Sequence, residues 1–210
     1  ATAVLFAREG AKVFGVDLNL AAAEETKGII DKEGGTCTVM RVDVSKSAEV
    51  KAMVDRCLKT CGRIDILHNN VGIVIAGGPV EISEETWDKV MAVNLKSMFL
   101  TCKYVLPQME KQGGGVITNI SSIAGIRYTG VPYVTYSATK AGILGLTNSV
   151  ALQYAAKNIR VNAILPGLMD TPMFVEPRKD AYAGGDIQKM KEIRNQQCPT
   201  KKMGDAWDVA

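Results

Sequence analysis

Three features of the 210-residue sequence predict a single-domain α/β fold, an open parallel sheet layered between helices in an αβα sandwich. Short apolar segments alternate with longer segments of helical period along the whole chain. Each helical segment is long enough to serve as the crossover that parallel neighbours require. Carboxylates, amides and hydroxyls recur just after the apolar segments, at the sheet edge where open parallel folds collect ligands.

The elements follow in order. Ala1 to Glu9 reads as the tail of a helix stopped by Gly10. Lys12 to Asp17 is a short apolar strand ending in a carboxylate, and Leu20 to Glu33 is a helix closed by Gly34 and Gly35. Thr36 to Val42 is a second strand, followed by Asp43 and Val44. Ser45 or Ser47 is expected to cap a helix whose apolar positions Val50, Val54, Cys57 and Cys61 keep the 3.6-residue period. Ile64 to His68 is a strand running into Asn69, Asn70, Val71 and Gly72. Ser83 caps a long helical region with Glu84 and Glu85 at its positive end. Trp87, Val90, Met91, Leu95, Phe99 and Leu106 are expected on its buried side, and Gly113 to Gly115 end it. A strand over Val116 to Ile120, a helix over 137–157 and a strand from Arg160 to Leu165 come next. Beyond Pro166 the pattern loosens around one helix near 186–196, with no internal repeat or low-complexity stretch.

The totals exclude several classes of function. Net charge is +3 with no basic block, which argues against nucleic acid and acidic membranes as partners. No apolar run approaches the roughly 18 residues of a membrane span. The five cysteines (37, 57, 61, 102 and 198) are irregularly spaced and read as reduced apolar residues in a cytoplasmic setting. With one histidine, His68, and no Cys-x-x-Cys, no metal site is expected.

The chemistry concentrates between Gly115 and Lys140. Two hydroxyls, Ser121 and Ser122, stand where a buried strand ends. Tyr136 and Lys140 are four residues apart, so on a helix they share one face. An ammonium beside a phenol favours the phenolate and brings its pKa down from about 10 toward values useful for proton transfer. A chain of this composition is expected to hold roughly half such a Tyr/Lys pair by chance, so the surroundings must decide. They do: Asp17, Asp43, Asn69 and Asn70, Ser121 and Ser122, and Pro166 and Gly167 each follow a different predicted strand, and one crevice can collect them all.

In this order Asp17, Asp43-Val44, Asn69-Asn70-Val71-Gly72, Asn94, Ser122, Tyr136-x-x-x-Lys140 and Pro166-Gly167-x-x-x-Thr171 resemble the motif set of the short-chain dehydrogenase/reductase family, across essentially the whole chain. The resemblance implies a Rossmann-type fold transferring a hydride between a nicotinamide cofactor and an alcohol or carbonyl. It implies Tyr136 as general acid/base, Lys140 as the group lowering its pKa and holding the nicotinamide ribose, and Ser122 as hydrogen-bond partner of the reacting oxygen. Asn94 would position a water that passes the proton onward. Ser122 is preferred to Ser121 because it directly precedes Ile-Ala-Gly. Asp17 and Leu18, Asp43 and Val44, Asn70, Val71 and Gly72, Pro166 and Gly167, and Met169 and Thr171 would line the cofactor. A carboxylate at Asp17 accepts hydrogen bonds from both ribose hydroxyls and repels a 2′-phosphate, so NAD is expected rather than NADP.

The sequence departs from the family in two places. Val71 replaces the alanine usual in Asn-Asn-Ala-Gly, and no Gly-x-Gly-x-x-Gly or Thr-Gly-x-x-x-Gly pattern occurs. The chain therefore reads as a fragment lacking the first strand with its phosphate turn, and also the C-terminal end. The strands at 12–17 and 64–68 should then lie two spacings, about 10 Å, apart rather than pair directly, and a chain starting at Ala1 should be poorly stable and bind cofactor weakly.

Two alternatives stay open, an NADPH-dependent 3-oxoacyl-thioester reductase and a non-catalytic interaction subunit retaining the fold. The resemblance also implies a homotetramer or dimer, for which Ala141, Gly142, Gly145 and Ala151 allow close helix approach, unless they serve packing on the chain's own sheet. Val74, Ile126, Tyr133, Met173 and Phe174 are expected to face the substrate pocket and suggest an apolar alcohol or ketone, beneath a mobile cover over 171–199.

Overall fold

The computed structural model describes residues 1–172 and 186–210. The first crossover unit comprises α1 (Thr2–Arg8), β1 (Lys12–Asp17), α2 (Leu20–Lys32) and β2 (Thr36–Arg41). Then come α3 (Ser47–Cys61), β3 (Ile66–Asn69), α4 (Glu84–Met91), a π-helical turn (Ala92–Lys96) and α5 (Ser97–Gln112). The chain continues through β4 (Gly115–Ile120), a 3₁₀ turn (Ile123–Gly125), α6 (Val134–Tyr154), β5 (Ile159–Ile164), α7 (Ile187–Gln197) and α8 (Ala206–Val209).

All strand pairs are parallel. β1 pairs with β2 from Lys12↔Thr36 to Asp17↔Arg41, and β4 pairs with both β3 and β5, aligning Ile66, Val116 and Arg160 in one row and Asn69, Asn119 and Ala163 in another. The strands form two sheets, β1-β2 and β3-β4-β5. Direct pairing of β1 with β3 is absent among the described residues, as expected for strands two places apart in the family order. One core nevertheless joins the sheets. Val42, Val44, Val50, Val54, Leu100, Val105, Leu106, Met109, Ile117, Ile159 and Val161 pack together, with Phe14, Val16 and Met40 against them. On the other face of β1-β2, α1 and α2 bury Val4, Ile30 and Cys37 with Val13 and Val39. On the equivalent face of β3-β4-β5, Ile66 and Ile164 are 45% and 36% exposed, while Phe6 of α1 meets His68 edge-on.

Local signals account for most boundaries. Ser83 caps α4 by accepting from Thr86 N, Asp186 caps α7 through Lys189 N, and Gly62 and Gly113 end α3 and α5 at φ of 81° and 90°, where glycine alone is unstrained. Three expectations require correction. The N-cap of α3 is Lys46 with no side-chain cap, because Ser45 is drawn to the Asp43 carboxylate and Ser47 to the Tyr104 hydroxyl. Phe99 is 50% exposed, because the π-turn adds a residue and rotates α5 against the period of α4, and Trp87 on α4 itself is 38% exposed. Helix α6 begins at Val134, three residues early, and its last turn becomes 3₁₀ at Ala155.

Candidate active site

The C-terminal ends of β3, β4 and β5 converge on α6 and the π-turn. After β3 the chain passes through Asn70, Val71 and Gly72 to Ile73. Asn94, fully buried in the π-turn, clasps Ile73: its Oδ1 accepts from Ile73 N at 2.8 Å and its Nδ2 donates to Ile73 O at 2.8 Å. A Cβ added to Gly72 would stand 3.5 Å from Asn94 Oδ1 and 3.6 Å from Lys140 Nζ, so three of the predicted residues meet here.

The two serines at the end of β4 are spent differently. Ser121 Oγ donates its hydrogen to the Lys140 carbonyl at 2.7 Å. Ser122 Oγ instead accepts from Ala124 N at 3.1 Å, capping the 3₁₀ turn, which leaves its hydroxyl hydrogen for another acceptor. Pro166 O accepts from Ile123 N, bringing the Pro166-Gly167 turn beside this loop. Gly125 packs so closely that a Cβ would meet the Lys140 carbonyl carbon at 2.7 Å, which fixes α6 against the loop backbone to backbone.

Helix α6 presents Tyr136 and Lys140 one turn apart, with Lys140 Nζ 5.4 Å from the centre of the Tyr136 ring. The ammonium is 3% exposed and donates to Ile120 O at 2.7 Å, which uses one of its three hydrogens. Burial alone brings the Lys140 pKa down to about 8, because a desolvated ammonium is penalised relative to the neutral amine. Tyr133 is buried and meets Tyr136 edge-on at 6.1 Å, so it braces the tyrosine rather than facing an open pocket as expected from sequence.

The second group of predicted residues lies at the ends of β1 and β2. Asp17 is exposed and accepts from Asn19 N at 2.8 Å, and Asn19 rather than Asp17 caps α2. Leu18 is 57% exposed beside it. Asp43 accepts from Ser45 Oγ at 2.6 Å, and this bond holds its carboxyl below the usual range. Val44 is buried in the core. Met169 forms a parallel bridge with Gly204, and Lys191 binds Asp170 at 2.9 Å, tying the segment around α7 to the loop after β5. Thr171 is half-buried, Val74 is half-buried and Ile126 is exposed. Met173 and Phe174 lie outside the described residues.

No metal-binding group of three or more His, Cys, Asp or Glu occurs among the described residues, and no helix there is long and apolar enough to cross a membrane. A cavity of about 360 Å³ lies at the opposite edge of the sheet, lined by Arg63, Gln112, Asn158 and Arg160, away from all the residues above.

Comparison with known proteins decides the family. The family model for short chain dehydrogenases matches residues 1–181. The chain belongs to the short-chain dehydrogenase/reductase family. An uncharacterized oxidoreductase of Thermotoga maritima is 42% identical over 209 residues, spanning 99% of this chain and 80% of that protein. The 3-oxoacyl-acyl-carrier-protein reductase of the same organism is 39% identical over 173 residues, 82% of this chain and 70% of that one. Among solved structures, levodione reductase superposes with a TM-score of 0.94 at 34% identity, covering 99% of this chain and 81% of that chain. A xylitol dehydrogenase bound to NAD+ gives 0.90 at 29% identity, covering 99% and 83%, and ElxO bound to NADP gives 0.85 at 27%, covering 99% and 81%. This short-chain dehydrogenase/reductase is thus an oxidoreductase of a family that uses NAD(P) on small molecules, with a Rossmann-like αβα fold. Its residues fit such a cofactor on their own chemistry. A buried ammonium with hydrogens to spare stands against a glycine that has no Cβ to fill the space.

Sequence reasoning singled out Asn69 but missed its buried polar partners, which hold this site together. Asn69 Nδ2 donates to Asn119 Oδ1 at 2.8 Å, Thr101 Oγ1 donates to Asn69 Oδ1 at 2.9 Å, and Asn119 Nδ2 donates to Thr147 Oγ1 at 2.9 Å, all buried. The strand parity held the signal: Asn119 shares a face with Ile117, so an alternation reading places it in the core. Thr139 and Ile73, which engage Asn94, carried no such signal.

Proposed function

We propose that this protein transfers a hydride between NAD(H) and an alcohol or carbonyl carbon, with Tyr136 as general acid/base. The observation that carries the reading is the pair on α6, a phenol one turn from a buried ammonium; Ser122, whose Oγ accepts from Ala124 N and keeps its hydrogen for another acceptor, lies in the loop that packs on this helix through Gly125. In reduction Tyr136 gives its proton to the carbonyl oxygen, and in oxidation it takes the proton from the alcohol. The Lys140 charge lowers the phenol pKa, and Ser122 steadies the reacting oxygen. Asn94 spends both amide hydrogens on Ile73 and Thr139, so a water it positions for proton relay would be held by an acceptor, its Oδ1 or its main-chain carbonyl.

The bound nicotinamide would supply or accept the hydride. Lys140 and Tyr136 would hold its ribose. Pro166, Gly167, Met169 and Thr171 would line the carboxamide side, Asn70, Val71 and Gly72 the floor, and Asp43 and Val44 the adenine. Asp17 and Leu18 would take the adenosine ribose. An exposed carboxylate at the end of β1 favours NAD over NADP. The likeness to a 3-oxoacyl-acyl-carrier-protein reductase supports a second reading, a thioester reductase, which would require Asp17 to tolerate a 2′-phosphate.

We further infer a homodimer or homotetramer joined through α4-α5 and α6. Gly142 is already filled by the chain's own Leu95, whereas Gly145 and Leu152 face outward. Five free cysteines favour a cytoplasmic setting. A thermal-shift titration with NADH and NADPH tests the cofactor assignment, since a ligand of the folded state raises the melting temperature according to its affinity. NADH should shift the transition at lower concentration than NADPH, and Asp17→Ala should erase the preference. A larger shift with NADPH overturns it.

A further inference from the structure

We propose that Thr139 is a positioning residue for the Tyr136 phenol, its hydroxyl coupling the turn that carries Asn94 to the turn that carries Tyr136. This rests on the reading of Tyr136 as the acid/base. Thr139 is fully buried on α6, one residue before Lys140. Its Oγ1 accepts from Asn94 Nδ2 at 3.2 Å and donates to the Tyr136 carbonyl at 2.8 Å.

A threonine that donates to a carbonyl of the preceding turn is common in helices and needs no further purpose. Accepting from another element at the same time is different. Asn94 is fully buried, and its amide has two hydrogens. One goes to Ile73 O, so the second depends on Thr139. The line Ile73–Asn94–Thr139–Tyr136 therefore joins the loop after β3, the π-turn and the first turn of α6 through a single hydroxyl. The π-turn departs from regular helix hydrogen bonding, so a side chain that anchors it also fixes where α6 can pack. Gly72 and Lys140 border the same point. Losing the hydroxyl frees Asn94 from α6, lets the Tyr136 turn relax, and loosens the approach of the phenol to the ammonium.

The test compares Thr139→Val, which keeps the shape and deletes the hydroxyl, with Thr139→Ser, which keeps the hydroxyl. The Tyr136 phenol is titrated by ultraviolet absorbance as the difference between each protein and its Tyr136→Phe counterpart, a measurement that needs no turnover. Turnover against pH is followed in parallel with NADH and a ketone panel. Thr139→Val should raise the phenol pKa by about half a unit or more toward its ordinary value. It should also lower kcat by about tenfold to a hundredfold, with substrate KM within about threefold, as small misplacements at reacting groups do. Thr139→Ser should restore both. A Thr139→Val protein that is less stable but has the wild-type phenol titration and pH profile overturns the proposal. If Thr139→Val does not fold, Thr139→Cys, close in size and a weak donor, is read by the same criteria. Tyr136→Phe with undiminished turnover would instead defeat the acid/base reading itself, leaving the phenol titration to judge Thr139.

Discussion

Lys140 should cost the fold stability at neutral pH, in an amount that disappears in alkali. The ammonium is 3% exposed, its recorded partner is the neutral Ile120 carbonyl, and burial brings its pKa from the ordinary 10.5 to about 8. That difference corresponds to roughly 3 kcal/mol of unfavourable charging in the folded state. The unfolded chain then holds the proton more tightly than the folded one between pH 8 and 10.5, so folding becomes more favourable as pH rises through that window. Below about 8 the full penalty is present, and above 10.5 it is gone. Lys140→Met removes the titration and leaves the Ile120 carbonyl unpaired, at a cost of about 1 to 3 kcal/mol that does not depend on pH. At pH 7 the variant should therefore match or exceed the wild type, and near pH 10 it should be the less stable of the two. Urea unfolding of both proteins from pH 7 to 10 measures the difference, in which titrations common to both cancel. The difference should move by about 2.5 kcal/mol across the range. A constant difference would show that the folded protein does not carry a desolvated ammonium at this position, and would remove the physical basis for its action on Tyr136.

Two further predictions concern the supports of the site. Asn119→Leu deprives Asn69 and Thr147 of buried partners and should destabilise the protein by about 2 to 3 kcal/mol, read as a lower urea midpoint with an unchanged slope. An unchanged midpoint would mean that the ladder between β3 and β4 is dispensable. Gly125→Ala drives a methyl group against the Lys140 backbone and should cost about 1 to 3 kcal/mol while lowering turnover, because α6 must move as a unit. Full activity would show that the loop yields instead.

The residues that the sequence places correctly are those whose signal is local. Ser83 sits before a helical period and caps it, and Gly113 stops a helix where only a left-handed residue fits. Tyr136 and Lys140 share a helix face because spacing alone determines it. What stayed hidden depends on tertiary partners. The π-turn is invisible to a 3.6-residue period, so the rotation of α5 and the exposure of Phe99 could not be read. Ser45 and Ser47 looked like caps, but Asp43 and Tyr104 compete for their hydroxyls from outside the helix. The choice between Ser121 and Ser122 rested on neighbouring residues in the sequence. In the structure their chemistry differs, since one hydroxyl is spent on the Lys140 carbonyl and the other receives a backbone N–H. The cavity lined by Arg63, Gln112, Asn158 and Arg160 points to the wrong edge of the sheet, where Ile66 and Arg160 are exposed.

The most direct test of the central claim is the rate of NADH oxidation at 340 nm with a panel of ketones, for the wild type and for Tyr136→Phe. Removing one oxygen atom deletes the proton donor and leaves the ring, the Tyr133 contact and the Lys140 ammonium in place. Turnover should fall by about a hundredfold to ten-thousandfold, the range of a lost general acid, while NADH still raises the melting temperature. A variant that turns over at the wild-type rate would contradict the assignment of Tyr136 and the mechanism built on it.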